Sequence, residues 1–153
     1  MRAEVEKSET EMVLLVDASN AFNAANRGRL LRTVAQRCPA LGMAARNTYR
    51  FGSDLFLAHG DPLRSTEGTT QGCPIAMQCF ALSTLPLIEE SQCKGLKQEW
   101  YADDSAGVGT IKGACEWFAR ITTGGAKYGY NVNAKKTIAT VSYTHLRAHE
   151  TLR

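Results

Sequence analysis

The sequence predicts an α+β domain, an antiparallel sheet with helices packed on one face. Three observations carry that prediction. Short apolar runs of strand length are interspersed with segments whose apolar residues recur at helical spacing. The predicted order is β-α-α-β-β-α-β-β-α-β, with strands and helices mixed. Two of the strand pairs are joined by tight turns. A chain of 153 residues fits one domain, and 44% apolar against 22% charged residues supports a packed core.

Residues 12–17 (Met-Val-Leu-Leu-Val-Asp) form a short apolar run ending in an acid, predicted as a buried strand. Leu30, Leu31, Val34 and Ala35 make one helical face within 29–37, which Cys38-Pro39 ends. A second helix is predicted over 40–50. Residues 54–66 read as a strand pair, with arms at 55–57 and 63–66 around a Gly60-Asp61-Pro62 turn. Residues 74–85 are apolar almost all round, which predicts a helix buried in the core, with Pro74 in its first turn and Pro86 as its stop. Residues 99–109 read as two strands joined by a tight turn at Asp103-Asp104. Ala114, Trp117, Phe118 and Ile121 then mark a helix that Gly124-Gly125 ends. A last strand is predicted over 136–141.

No apolar run reaches the roughly 18 residues of a membrane helix, so a soluble chain without a membrane partner is expected. The flank 1–11 carries four Glu and no apolar segment, which excludes a secretory signal. The five Cys contain no CxxC pair and read as reduced, mostly buried thiols of an intracellular protein, in cytoplasm or nucleus. Three His supply neither a histidine-rich metal site nor a Ser-His-Asp triad. Residues 141–151 (Val-Ser-Tyr-Thr-His-Leu-Arg-Ala-His-Glu-Thr) resemble a translated sequencing-library adapter. The native sequence is therefore expected to stop near Thr140, the alternative being a genuine C-terminal helix. The expected organisation is a flank at 1–11, a domain at 12–140 and a non-native tail at 141–153.

Net charge is +3, but its distribution is uneven. No acid lies between Asp17 and Asp54, whereas Arg27, Arg29, Arg32, Arg37, Arg46 and Arg50 all do. Six arginines can follow a phosphate backbone or form a solvated helix surface.

The central chemical observation is the placement of acids at strand ends. Asp17 ends one apolar run, and Asp103-Asp104 sit at the turn between two others. Such carboxylates must be solvated, paired or bound to a cation. The nearest basic residue after Asp103 is Lys112, so no local partner is evident. Clustered oxygen donors without Cys or His suit Mg²⁺, and two such ions can clamp the attacking and leaving oxygens of a phosphoryl transfer. The alternative is that Asp17 caps a turn and Asp103-Asp104 are ordinary turn residues.

Four segments narrow this choice. They are Leu15-Val-Asp-Ala-Ser-Asn-Ala-Phe-Asn23, Glu67-Gly-Thr-Thr-Gln-Gly-Cys-Pro74, Tyr101-Ala-Asp-Asp104 and Gly129-Tyr-Asn-Val-Asn-Ala-Lys-Lys-Thr137. In this order, and over about residues 10–140, they resemble the palm of a reverse transcriptase of the retroelement kind, non-LTR in type. The resemblance implies a polymerase palm with a two-metal site for adding deoxynucleotides to a primer 3′-hydroxyl. It implies that Asp17 and Asp103 hold two Mg²⁺ ions (Mn²⁺ as an alternative), with Asp104 supporting and the Ala18 carbonyl reaching a metal. Phe22 would be the bulky gate that crowds a 2′-hydroxyl, or plain core packing. Gln71 and Gly72 would lie near the incoming nucleotide and template base, Gly72 permitting close backbone approach. Tyr101 would pack beside the primer end. Lys136, with Lys135 as the alternative, would protonate or stabilise the leaving pyrophosphate. The implied partners are an RNA or DNA template with primer, deoxynucleoside triphosphates, and the fingers and thumb of a parent polyprotein.

Asn23 departs from the family pattern, where many relatives carry Asp. Only 16 residues precede Asp17, so fingers and thumb are expected to be largely missing and the isolated fragment inactive or weak. Two rivals stand beside this reading: a non-catalytic nucleic-acid-binding palm or decayed remnant, and a related palm enzyme such as a nucleotide cyclase or RNA-templated RNA polymerase. Phe22 and the Tyr-Ala-Asp-Asp form argue against the last two.

Overall fold

A computed structural model describes residues 10–56 and 58–141. Most of the acidic flank, Leu57 of the first hairpin arm, and the tail from 142 onward lie outside the described residues.

Four strands form the main sheet: β1 (Met12–Val16), β4 (Leu96–Tyr101), β5 (Asp104–Gly109) and β6 (Ile138–Val141), in the order β4-β5-β1-β6 with every neighbour antiparallel. β2 (Ser53–Leu55) and β3 (Leu63–Ser65) form a separate hairpin. The helices are α1 (Ala21–Ala24), α2 (Arg27–Arg37), α3 (Pro39–Tyr49), α4 (Ala76–Ser91) and α5 (Ile111–Gly125), the last followed by a 3-10 turn at Ala126–Tyr128. The predicted α+β class and element order hold, with α1 as an unpredicted addition.

Each element follows from its residues. In β1, Leu14 and Val16 are buried while Leu15 is 42% exposed. The strand is thus half-buried rather than buried on both faces, as period-two alternation requires when helices cover one side. Leu14 and Val16 pack on Trp117 and Ile121 of α5. A larger core joins Leu30 and Val34 of α2, Ala45 and Tyr49 of α3, and Cys79, Phe80 and Leu87 of α4. Asn26 caps α2 by accepting the Arg29 amide at 2.9 Å, and Thr110 caps α5 by accepting that of Gly113 at 3.1 Å.

Three expectations fail on tertiary grounds. α4 runs through Pro86 to Ser91 because Leu87 and Ser91, both 1% exposed, are held in the interior beyond the proline. One turn before the proline, the Ser83 and Thr84 hydroxyls donate to the carbonyls of Phe80 and Ala81. α4 also has an open side, with Met77 46% exposed, and buries Ser83 and Thr84. After Gly125 the chain makes a 3-10 turn and reverses at Gly129. Of the five free cysteines only Cys79 is buried, and Cys115 is exposed. Among the described residues no helix is long and apolar enough to cross a membrane.

Candidate active site

Strand pairing brings the acids to one end of the sheet. Val16 lies opposite Ser105, so the next residues outward are Asp17 on β1 and Asp104 on β5. Tyr101 and Asp104 form the last pair of the β4–β5 hairpin, leaving Ala102 and Asp103 as the turn. Ala102 has a φ of 54°, a left-handed setting that costs an L residue about 1–2 kcal/mol. The turn is therefore held from outside.

Tyr130, 2% exposed, does much of that holding. Its hydroxyl donates to the Asp103 carbonyl at 3.0 Å and lies 3.1 Å from Ser105 Oγ, which reaches the Val16 carbonyl at 3.4 Å. One buried hydroxyl pair thus ties the turn to β1. Burial pushes the Tyr130 hydroxyl up to about 12; the Ser105 contact opposes this, and the charges of Asp103, Asp104 and Asp17 add to it. All three carboxylates act on the same buried group.

The segment after Tyr130 clamps Asp17. Ala18 bridges to Val132, with the Ser19 amide donating to Asn131 at 2.8 Å and the Asn133 amide donating to the Asp17 carbonyl at 2.8 Å. These bonds use the groups flanking Ala18, so its own carbonyl points to the opposite edge, the side of β5. Asn133 Nδ2 also donates to Asp17 Oδ2 at 3.3 Å, and Lys136 Nζ lies 3.5 Å from the same oxygen. The absence of a nearby basic partner in sequence is corrected here: Asp17 has one, delivered from the last motif. Lys136, rather than Lys135, is the lysine on the acid.

Asp17, Asp104, Tyr101, Lys136 and Glu99 line one cavity of about 650 Å³, with Ile138 at its wall. Asp103 meets Tyr130 through its backbone. Among the described residues, no three Asp, Glu, His or Cys side chains stand close enough to form a metal cluster by themselves.

The second motif joins from another direction. The Thr69 amide donates to the Phe22 carbonyl at 2.7 Å, and that of Gly68 to Ala25 at 2.8 Å. A Cβ on Gly68 would come within 2.3 Å of the Phe22 carbonyl, whereas one on Gly72, at φ +85°, would meet nothing within 4 Å. Gly68 thus packs the second motif directly on the backbone of the first. Gly72 is needed for its conformation and leaves open space beside exposed Gln71. The Phe22 ring, half-buried, stacks on Phe80 with centroids 4.3 Å apart.

Arg27 corrects the expectation for the arginine run. It is 5% exposed and donates to the carbonyls of Gly68, Ser65 and Glu67 at 3.0, 3.0 and 2.7 Å, while its amide donates to the Glu67 carboxylate at 2.8 Å. It holds the second motif against the first and follows no phosphate. Sequence reasoning assigned no role to Tyr130, Asn133 or Ser105, and gave Arg27 only a place in the arginine run. Tyr130 and Asn133 lay inside a quoted motif, but nothing local marked their partners.

No family model matches the chain, and no curated protein is similar to it. Solved structures are. Apo telomerase from Candida tropicalis, truncated from the C-terminal domain, matches with a TM-score of 0.70 at 13% identity, over 93% of this chain and 33% of that one. Apo telomerase of the same organism matches at TM-score 0.65 and 11% identity, over 94% of this chain and 31% of that one. Its complex with a fragment of telomeric RNA matches at 0.62 and 12%, over 93% and 28%. The chain spans about a third of the length of these structures. The likeness shows the fold: a reverse-transcriptase-like polymerase fold.

Proposed function

We propose that this chain is the palm of an RNA-directed DNA polymerase from a non-LTR retroelement, a nucleotidyltransferase that works within a longer polypeptide. The observation that carries this reading is the meeting of Asp17 and Asp104 on neighbouring strands, with Asp103 in the turn and Lys136 on Asp17. Isolated, the fragment is inactive or very weak, because the fold's remaining two-thirds would grip the duplex and nucleotide.

The donor set fits Mg²⁺. It is all hard oxygen, and Mg²⁺ is usually held by one or two carboxylates plus substrate phosphates, so a closed protein cluster is not required. Asp17, Asp103, Asp104 and the Ala18 carbonyl would hold two Mg²⁺ ions, with Mn²⁺ able to substitute. When bound, the ions lower the pKa of the primer hydroxyl and spread the charge on the transferring phosphoryl group. The chain's own groups do the rest. Tyr130 and Asn133 orient the acids, Tyr101 packs beside the primer end, and Gln71 with Gly72 borders the nucleotide. Phe22, already stacked, crowds a 2′-hydroxyl. Lys136 carries a proton toward the departing pyrophosphate. The nucleic-acid partner is an RNA or DNA template with primer.

The test is primer extension on an RNA template with deoxynucleotides and Mg²⁺, by the parent polypeptide containing this segment. Asp103→Ala should reduce it by ~10²–10³-fold, the scale on which a central electrostatic contributor acts. Undiminished extension removes the role. A second reading, a nucleic-acid-binding palm without turnover, is favoured by the exposed arginines Arg32, Arg46 and Arg50 of the 27–50 run. Salt-dependent binding with no metal-dependent extension by the parent polypeptide would select it.

A further inference from the structure

The six arginines of the run have different fates. Arg27 is buried, Arg37 pairs with Glu89 at 2.6 Å, and the Arg29 guanidinium lies over the Tyr128 ring at 5.2 Å. Arg32, Arg46 and Arg50 are left. All three are exposed and line one groove of about 330 Å³ between α2 and α3, together with Leu31, Ala35 and Gly42.

Helix geometry assembles this groove. Gly42, Arg46 and Arg50 follow one another at four-residue steps along α3 and its C-cap, and Arg32 and Ala35 stand three apart on α2. The helices meet at Gly42, where a Cβ would come within 2.6 Å of the Ala35 Cα. The floor is therefore close-packed backbone, and guanidinium groups rim it from both sides. No acid lines the groove, and among the described residues none of the three arginines has an acidic partner. Like charges at four-residue spacing weaken a helix, so stability does not account for them. Beside them, the Arg50 guanidinium lies 4.7 Å from the centroid of Phe51, whose side chain is 69% exposed.

We propose that the α2–α3 groove binds the sugar-phosphate backbone of a single nucleic-acid strand, with Arg32, Arg46 and Arg50 on phosphates and Phe51 as a stacking surface for a base. Cations without acidic partners in a groove beside an exposed aromatic ring are what a single strand needs: charge that tracks the backbone and a face for a base. An acidic protein segment would use the cations and leave the ring idle. The groove shares no residue with the cavity at Asp17 and Asp104, so the proposal stands apart from the polymerase reading.

The test is fluorescence anisotropy of a labelled 12-nucleotide oligouridylate with the full chain, across a salt series. The Arg32→Gln/Arg46→Gln/Arg50→Gln variant should lose at least ~10-fold in affinity at low salt and lower the log–log salt slope by about 2, since each phosphate contact on a single strand contributes ~0.7. Phe51→Ala should weaken binding by ~5-fold or more and leave the slope unchanged. Lys112→Gln, at an exposed cation that lines neither the groove nor the acidic end of the sheet, should leave the slope unchanged too, which separates this site from charge elsewhere on the chain. If the triple variant fails to fold by circular dichroism, Arg46→Gln alone, with a slope change of about 0.7, decides. An unchanged slope, no binding by the unaltered chain at low salt, or equal displacement by polyglutamate of the same length would overturn the proposal.

Discussion

The acidic end of the sheet and the α2–α3 groove each gather three like charges, by opposite means. At the sheet end the carboxylates sit on strand ends and a turn, fixed by a buried tyrosine, a buried serine and an asparagine from a remote segment. In the groove the guanidinium groups are placed by helical spacing and one close contact at Gly42, and among the described residues no acidic side chain holds them. The difference matches the tolerance of the two proposed tasks. Phosphoryl transfer needs its groups within about 0.5 Å of productive geometry, which demands supporting residues. A flexible polyanion accommodates itself to charges that are only roughly placed.

Arg27 is the strongest challenge to that division, because it belongs to the arginine run in sequence and to the supporting scaffold in space. Arg27→Met leaves three carbonyls and the Ser65 hydroxyl without their donor, while the backbone amide keeps its bond to Glu67, at a cost of about 3–5 kcal/mol. Arg46→Gln should stay within about 0.5 kcal/mol. Urea unfolding of both measures the contrast, and equal losses would erase it.

Tyr130→Phe comes next, at about 1–3 kcal/mol, for removing the hydroxyl shared by the Asp103 carbonyl and Ser105. Its pH dependence has a definite sign. The folded hydroxyl titrates at about 12, against about 10 in the unfolded chain. Folding therefore favours the protonated form. That contribution is whole below pH ~10 and is lost as pH rises from ~10 to ~12, by up to about 1.4 kcal/mol per pH unit. Stability of Tyr130→Phe measured over this window should fall less steeply than that of the unaltered chain. Parallel curves would mean the hydroxyl is not buried.

What could be read in the sequence was local. The β4–β5 hairpin, the helix ends at Cys38-Pro39 and Gly124-Gly125 and the location of the acids at strand ends follow from alternation, spacing and turn residues a few positions apart. What could not be read was set by distance along the chain. Asn133 reaches Asp17 across 116 residues, and Arg27 holds residues about 40 positions away. The six arginines are equivalent as a run and become three structural and three free only once α2, α3 and the 65–68 segment pack. Pro86 shows the same rule, since its helix continues on account of contacts made beyond it.

Asn133→Ala should have a smaller effect, about 1 kcal/mol, by freeing Asp17 from a 3.3 Å contact. It sharpens the comparison because it loosens placement without changing charge. Thermal unfolding should register a modest loss, and the parent polypeptide's primer extension a larger proportional one. A loss confined to stability would mean Asn133 supports the fold alone.

Lys136→Met should have the smallest effect on the fold. The ammonium is 3.5 Å from Asp17 Oδ2, and its side chain is 68% exposed against 19% for the acid. Such pairs contribute between nothing and about 1 kcal/mol, because solvent screens the attraction and a long side chain must be held still. The ammonium also occupies the approach a divalent cation would use, and it repels that cation. Removing it should leave unfolding free energy within about 0.5 kcal/mol and tighten Mn²⁺ binding by the chain several-fold, as read by electron paramagnetic resonance. A stability loss well above 1 kcal/mol with unchanged Mn²⁺ affinity would reverse the assignment, making Lys136 part of the scaffold and leaving the acids without a metal-facing side.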